Sequence, residues 1–159
     1  MLAVGAPFEC GTSSGVGGPL TLNCGIALSS GAVYIYIRNG GNWEFAQYIK
    51  SSNPARNNNF GIAVSLSGDG KTLAVGAWGE KSLGQGPNQN PLSNQTAAFS
   101  VGAVYTFAMT GDASFTSWTQ TSLIKASNAV ALLQGSQFGT SVSLSFDGLT
   151  LAIGDVIES

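Results

Sequence analysis

The chain has 159 residues, of which 22 are glycine and only 9% are charged, well below the roughly 25% that is usual in soluble domains. Its net charge is −2 and its six basic residues are scattered, which excludes the electrostatic footprint of a nucleic-acid-binding protein. No apolar run approaches the ~18 residues of a membrane-spanning helix, and the Gly-, Ser- and Thr-rich composition favours an all-β fold.

The first part of the chain predicts three strands and one long loop. Leu2–Ala6 (LAVGA) is a strand, and a Gly/Ser/Pro-rich loop, Pro7–Ser30, follows it. Gly31–Arg38 is β-branched and aromatic with apolar side chains on both faces, as expected of a sheet that is covered on both sides. After a short turn, Trp43–Ser51 is more polar and predicts an outer strand, with Lys50 as an edge-protecting charge.

An internal repeat identifies the architecture. The stretch Phe60–Ala77 returns at Phe138–Asp155 with most positions identical. Each copy alternates apolar and small residues and contains an Asp-Gly pair (Asp69-Gly70 in the first copy), which together predict two strands joined by a tight two-residue hairpin turn. The LAVGA and GAVY segments also recur, both at the same offset along the chain, so the repeated unit contains four antiparallel strands.

The second unit continues with a loop at Trp78–Val101, a strand at Gly102–Ala108 and an outer strand at Trp118–Ala126. Its extra residues fall in Met109–Ser117 and Asn128–Gln137, which are predicted to be turns. Four-stranded units with two apolar faces are typical of the blades of a β-propeller. The predicted organisation is a partial blade at 1–52 (strands 2–4), a complete blade at 53–127 and a partial blade at 128–159 (strands 1–2).

Both ends of the chain fall within repeat units, so we expect an incomplete propeller of about two blades, a fragment of a longer protein. Neighbouring blades of the parent chain would cover its open faces. Alone, the fragment is expected to be marginally stable and to self-associate, because its end blades expose apolar faces and open strand edges.

The motifs at Phe60-Gly61, Leu73–Ala77 and Gly102–Tyr105 resemble the FG-GAP repeat, the blade of the integrin α-subunit propeller, and most closely its prokaryote-style subset. The resemblance implies a non-catalytic extracellular or cell-surface segment that mediates adhesion or protein–protein contact through long loops on one face. Integrin-type blades often bind calcium through loops rich in aspartate. Here Asp69 and Asp147 are the single carboxylates of their turns, so we expect turn residues and no cofactor.

Enzymatic constellations are not apparent, and we expect no enzyme. The absence of histidine excludes Ser-His-Asp, Cys-His and His-metal sites. The carboxylates are dispersed, and Glu9, Glu44, Glu80 and Glu158 are interpreted as sharing no spacing. The alternative function is a carbohydrate-recognising ancillary module of a secreted hydrolase. Six aromatic residues offer a platform for it, but their recurrence at equivalent positions favours core between blades: Tyr34, Tyr36, Trp43, Tyr105, Phe107 and Trp118.

The remaining candidate sites lie in the two long loops. Cys10 and Cys24 lie within the first loop and predict a disulfide that closes it, hence an oxidising compartment, with free thiols as the alternative. Trp78 stands where the other copy has Pro7 and is the best candidate for an exposed contact with a protein or glycan ligand. Asn94 begins a glycosylation sequon, which matters only in a eukaryotic source. Gly86–Asn90 is rich in oxygen atoms but uncharged, which disfavours an ion site.

Overall fold

The computed structural model describes residues 1–89, 99–112, 115–129 and 135–157, and these contain nine β-strands in three antiparallel sheets. The all-β fold predicted from the sequence is confirmed. The N-terminal sheet has the order β1 (Leu2–Ala6), β2 (Ala32–Asn39) and β3 (Asn42–Ile49); the central sheet has the order β4 (Ala63–Leu66), β5 (Thr72–Ala77), β6 (Ala103–Asp112) and β7 (Phe115–Ile124); the C-terminal sheet pairs β8 (Ser141–Leu144) with β9 (Leu151–Gly154).

Repeated segments occupy the same place in their respective sheets. Ala6 lies opposite Ala32 in the pairing of β1 with β2, and Ala77 lies opposite Ala103 in the pairing of β5 with β6. A β-bulge interrupts the next pair of strands after Ile35 in the N-terminal sheet and at the equivalent position, after Thr106, in the central sheet. Strands that share a sequence motif therefore occupy equivalent positions in the two sheets and pair in the same register.

Two predicted boundaries are wrong. The segment Met109–Ser117 is not a turn, because β6 runs to Asp112 and β7 begins at Phe115. The extra residues of this unit lengthen the hairpin, since a ladder can grow at its free end without disturbing the pairs beneath it. The strand predicted from Phe60 begins only at Ala63, because Gly61 has a φ of +91° and breaks the extended backbone.

The Asp-Gly hairpins are also longer than the two-residue turn that the sequence predicts. The backbone N–H of Ser67 donates to the carbonyl of Thr72 (2.9 Å), so the loop that this bond closes contains more than the Asp-Gly pair. Of the two predicted turn residues only Gly70 has a positive φ, +72°. The Asp69 carboxylate accepts bonds from the Ser67 hydroxyl (2.7 Å) and the Lys71 N–H (3.0 Å), and this side-chain bonding closes the turn in place of a second left-handed residue.

The sheets pack face to face through backbone contacts that need glycine. A Cβ on Gly5 would overlap the carbonyl of Gly61, and a Cβ on Gly76 would overlap the carbonyl of Gly139 in the same way. Each Phe-Gly pair of the sequence motif therefore lies against the LAVGA strand of the preceding sheet. The first strands β4 and β8 contact each other, β1 contacts β4, and β5 contacts β8.

The apolar core lies between the N-terminal and central sheets. Val33, Ile35 and Ile49 of the N-terminal sheet form one buried cluster with Phe60 and with side chains of the central sheet. The Phe60 ring meets two of these edge-on, with centroid separations of 5.3 Å to Tyr105 and 6.1 Å to Phe107. The other members on the central sheet are Leu73, Val75, Ala77, Ala103, Trp118 and Leu123.

The prediction that the repeated aromatic residues form core between blades holds in one sheet and fails in the other. Tyr105, Phe107 and Trp118 are buried, as predicted. Their N-terminal equivalents are not, because no sheet packs on that side within the described residues: Trp43 is 48% exposed, and Tyr34 and Tyr36 are only partly buried. The same residue type at the same repeat position therefore has two environments.

Candidate functional site

The long loops leave the sheets at one common end. β1 ends at Ala6 opposite Ala32, and β3 ends with Ile49 opposite Val33, so the first long loop and the segment after β3 start at the same end of the sheet, on either side of β2. Two backbone bonds of 2.9 Å join these segments, from the N–H of Asn57 to the carbonyl of Leu28 and from that of Asn59 to the carbonyl of Ser29. The central sheet has the same arrangement. We call this end of the sheets, formed by the described residues 7–31, 50–62, 78–89, 99–102, 125–129 and 135–140, the loop end.

Each long loop returns to pair with the edge of its own outer strand. In the first loop the carbonyl of Gly15 accepts the N–H of Lys50 (2.8 Å), and in the second the carbonyl of Gly86 accepts the N–H of Lys125 (2.9 Å). Gly15 and Gly86 have φ angles of +71° and +72°, which glycine adopts without strain. The edge of the outer strand is thus covered by the loop at its end, and the loops have an ordered base.

A buried ion pair holds each loop base. The ammonium of Lys125 contacts the carboxylate of Glu80, and both side chains are completely buried. The equivalent pair joins Lys50 to Glu9 at 2.7 Å, with Glu9 7% exposed. Burial lowers the pKa of both lysines, and the bonds to their glutamate partners partly offset this effect. The prediction that Lys50 protects an exposed edge is wrong, because its charge lies inside the loop base.

These pairs link three chain segments at once. Besides its side-chain pair, Glu80 accepts two backbone bonds of 3.0 Å at its carbonyl, from Val101 and Gly102 at the end of the loop. The carbonyl of Glu9 likewise accepts the N–H of Gly31 (2.9 Å). The beginning of each loop, its end and the outer strand are therefore joined at the loop base.

Sequence reasoning missed these residues although a signal was present. Glu9 and Glu80 are each the third residue after a LAVGA strand, so the interpretation that the glutamates share no spacing is wrong. Glu158 follows Glu80 at the same offset by which Phe138 follows Phe60. Glu158 lies outside the described part of the chain.

The first loop carries a disulfide and exposes apolar side chains. Cys10 and Cys24 are joined, with their Cα atoms 4.9 Å apart, at the base of a short two-stranded turn in which the N–H of Thr12 donates to the carbonyl of Thr21 (2.9 Å). Five large apolar side chains of this loop are exposed to solvent: Phe8 (74%), Leu20 (59%), Leu22 (64%), Ile26 (68%) and Leu28 (38%). Exposed apolar groups on an ordered loop are suited to contact with a protein surface.

Trp78 lies at a second feature of the loop end. It is half-buried and lines a cleft of about 220 Å³ between the second long loop and the segments that precede β8 and follow β9. The carboxylate of Asp155 shapes one wall of this cleft, because it binds the hydroxyl of Ser136 and the backbone N–H groups of Gln137 (3.0 Å) and Ile157 (3.1 Å). Phe99, Ser100 and Gly135 complete the lining. The role of Trp78 as a ligand contact stays a prediction.

The oxygen atoms of the candidate ion sites accept hydrogen bonds from groups of the protein itself. The Asn88 side-chain carbonyl accepts the Ser122 hydroxyl (3.0 Å). At the turns, bonds from the Ser67 hydroxyl and the Lys71 N–H lower the pKa of Asp69, and equivalent bonds from Ser145 and Leu149 lower the pKa of Asp147. Within the described residues no group of three or more His, Cys, Asp and Glu side chains could hold a metal ion.

Two predicted residues lie outside the described part of the chain. These are Asn94 of the sequon and Asn90 at the end of the uncharged loop segment. In the ranges that are described, no helix has both the length and the apolarity to cross a membrane.

Comparison with known families agrees with the repeat found in the sequence and in the sheets. Residues 43–107, which include most of β3 and all of β4 and β5, match the model of the FG-GAP repeat. The chain therefore contains an FG-GAP repeat. No curated protein matches the chain.

The family explains the shape of the sheets. FG-GAP repeats form the blades of β-propeller modules, so the three antiparallel sheets of this FG-GAP protein are consecutive blades, of which the central one has all four strands. Such repeats generally act in protein interaction rather than catalysis. In this arrangement the loop end is one end of the blades, and the Asp-Gly turns lie at the other.

Proposed function

We propose that this FG-GAP protein is a non-catalytic binding module that works outside the cell or at its surface, where it mediates adhesion through a protein partner bound at the loop end. The observation that carries the proposal is the disulfide-closed first loop, which exposes Leu22 and Ile26 on an ordered base. A rigid loop loses little conformational entropy on binding, so its apolar side chains can contribute most of their burial to affinity. The disulfide supports an oxidising compartment.

The test measures adhesion of beads coated with the purified protein to cells of the source organism. We expect Leu22→Ser with Ile26→Ser to lower bead binding about tenfold or more, because loss of two central apolar contacts costs over ~1.4 kcal/mol. Leu149→Ser is the matched control, since Leu149 is 86% exposed but lies in the β8–β9 turn at the opposite end. Equal binding by the double variant and the control would contradict the proposal.

A glycan is the alternative partner, and the cleft beside Trp78 offers aromatic side chains of the kind that bind sugars. Treatment of the cells separates the two. Under the proposal, protease treatment of the cells abolishes bead binding and enzymatic deglycosylation leaves it intact. Loss of binding after deglycosylation, together with loss in Trp78→Ala and retention in the Leu22/Ile26 variant, would establish the glycan alternative instead.

A further inference from the structure

One side of the N-terminal sheet is open although its residues match a buried surface elsewhere in the chain. Leu2 pairs across the strands with Tyr36, and Val4 with Tyr34, so these four side chains lie on one side of the sheet. Tyr36 in turn pairs with Phe45, which places that ring on the same side. We call this side of the N-terminal sheet the open face.

The equivalent side of the central sheet is covered. Leu73 and Val75 are fully buried, whereas their equivalents Leu2 and Val4 are 38% and 42% exposed. Trp118 is 2% exposed, against 48% for its equivalent Trp43 on the open face. The side chains that cover the central sheet belong to the opposite side of the N-terminal sheet, in particular Val33, Ile35 and Ile49.

The open face forms an aromatic groove rather than a flat surface. The groove lies between the rings of this face and Gly17, Gly18 and Leu20 of the first long loop, and its volume is about 440 Å³. The rings are tilted to one another, with centroid separations of 5.3 Å between Tyr34 and Tyr48 and 6.0 Å between Tyr36 and Phe45. Tyr105 and Phe107, the equivalents of Tyr34 and Tyr36, stand edge-on to Phe60 within the core. The groove therefore has the design of the surface onto which a blade packs.

The other end of the chain offers the complementary surface. On the central sheet, Ser65 and Ala74 pair with each other and face the C-terminal sheet, where the Ser65 hydroxyl accepts the N–H of Leu144 (3.0 Å). Their equivalents on the C-terminal sheet, Ser143 and Ala152, also pair with each other and are exposed. We call this side of β8 and β9 the far face. It consists of small residues that allow close approach of another sheet.

We propose that copies of this chain associate head to tail, with the far face of one copy covering the open face of the next. The contact would repeat the part of the existing interfaces that the LAVGA strand makes, because Ala152 and Gly154 are the equivalents of Ala3 and Gly5, which pack against the central blade. The two surfaces differ, so the association is heterologous: a dimer still has one free open face and one free far face, and the assembly therefore grows or closes into a ring.

The experiment measures molar mass by sedimentation and light scattering across a broad range of protein concentration. Phe45→Glu alters the open face and Ala152→Arg alters the far face. Both positions are exposed, so the substitutions spare the core. The wild-type chain is expected to exceed its monomer mass of 16.2 kDa, and each variant alone is expected to remain monomeric. Leu149→Ser, in the exposed turn, should associate as the wild type does.

A mixture of the two variants provides the decisive measurement. Each retains the surface that the other has lost, so an equimolar mixture should form a dimer of twice the monomer mass and nothing larger. A wild-type chain that is monomeric at every concentration overturns the proposal. Association of Ala152→Arg alone would show that open faces pair with each other, which also overturns it. Thermal unfolding followed by circular dichroism checks that each variant is folded, with Phe45→Ser replacing Phe45→Glu if the charge prevents folding.

Discussion

Glu80→Gln is expected to be among the most destabilising single substitutions in the chain. The side chains of Glu80 and Lys125 are completely buried, and no other carboxylate bonds to the Lys125 ammonium among the described residues. Glutamine keeps an oxygen for the backbone N–H of Ser82, which donates to Glu80 at 3.0 Å, but it leaves a buried cation without a counter-charge. Removal of one partner of a buried pair costs about 3–5 kcal/mol.

The repeated pair supplies an internal comparison. Glu9→Gln removes the counter-charge of Lys50, but the Lys50 ammonium also donates to the Ser30 hydroxyl (2.7 Å), and Glu9 is slightly exposed. We therefore expect a smaller loss of about 1–3 kcal/mol, typical of a charged hydrogen bond. The free energy of unfolding is measured by urea titration, with tryptophan fluorescence as the signal and the slope checked for constancy.

A double variant tests the physical cause. Glu80→Gln combined with Lys125→Met leaves no buried charge, so most of the lost stability should return, because a buried ion pair can be replaced by neutral side chains at little cost. Three results would refute the reasoning: a loss below about 1 kcal/mol in Glu80→Gln, a larger loss in Glu9→Gln than in Glu80→Gln, or a double variant less stable than Glu80→Gln alone.

Three further predictions concern the contacts between blades, the first loop and the Asp-Gly turns. Gly76→Ala should lower the free energy of unfolding by about 1–3 kcal/mol or more in urea titration, because its Cβ would meet the carbonyl of Gly139. Gly41→Ala is the control and should change little, because its Cβ meets nothing within 4 Å. Equal effects of the two substitutions would contradict the packing argument. The unreduced protein should show no thiol that maleimide can label, and Cys10→Ser with Cys24→Ser should lose about 3 kcal/mol, the value expected for a closed loop of this size; labelling of either cysteine would overturn this prediction. Hydrogen bonds lower the pKa of Asp69 from 3.8, so its stabilising effect is complete above pH 3.8 and is lost as pH falls through the lowered pKa. In a plot of the unfolding midpoint against pH, Asp69→Asn should therefore reduce the slope on the acid side. An unchanged slope would count against the turn bonds.

The repeat is the reason that much of the fold could be predicted from sequence. Equal spacing of LAVGA and GAVY implied equal loops and equal register, and β1 has the predicted bounds. The bounds of the β6–β7 hairpin could not be obtained in this way, because an insertion at a hairpin end is equally compatible with a longer turn or with longer strands. Trp43 is exposed and Trp118 is buried because, among the described residues, a sheet packs beside only the second of them. The local sequence around each tryptophan does not encode this difference.

The site was less accessible to prediction than the fold. Lys50 was interpreted from its place at the end of a strand, where a charge usually faces solvent. Its burial depends on Glu9, which is distant along the chain and meets it only when the loop folds back. The repeat contained this information for both pairs, since Glu9 and Glu80 follow equivalent LAVGA strands and Lys50 and Lys125 end equivalent outer strands.

The attachment of the long loops to their own outer strands separates two kinds of sequence position. The backbone bonds at Gly15 and Gly86, together with the buried ion pairs, attach the base of each long loop to its outer strand. Val16 and Gly17 still pair with β3, but beyond them Gly18 and Pro19 form no backbone hydrogen bond with a described strand, so the loop can vary there without altering the sheets. A peptide epitope grafted between Gly18 and Pro19 would therefore be displayed on the same loop base. In this respect the protein is a scaffold, as antibody frameworks are.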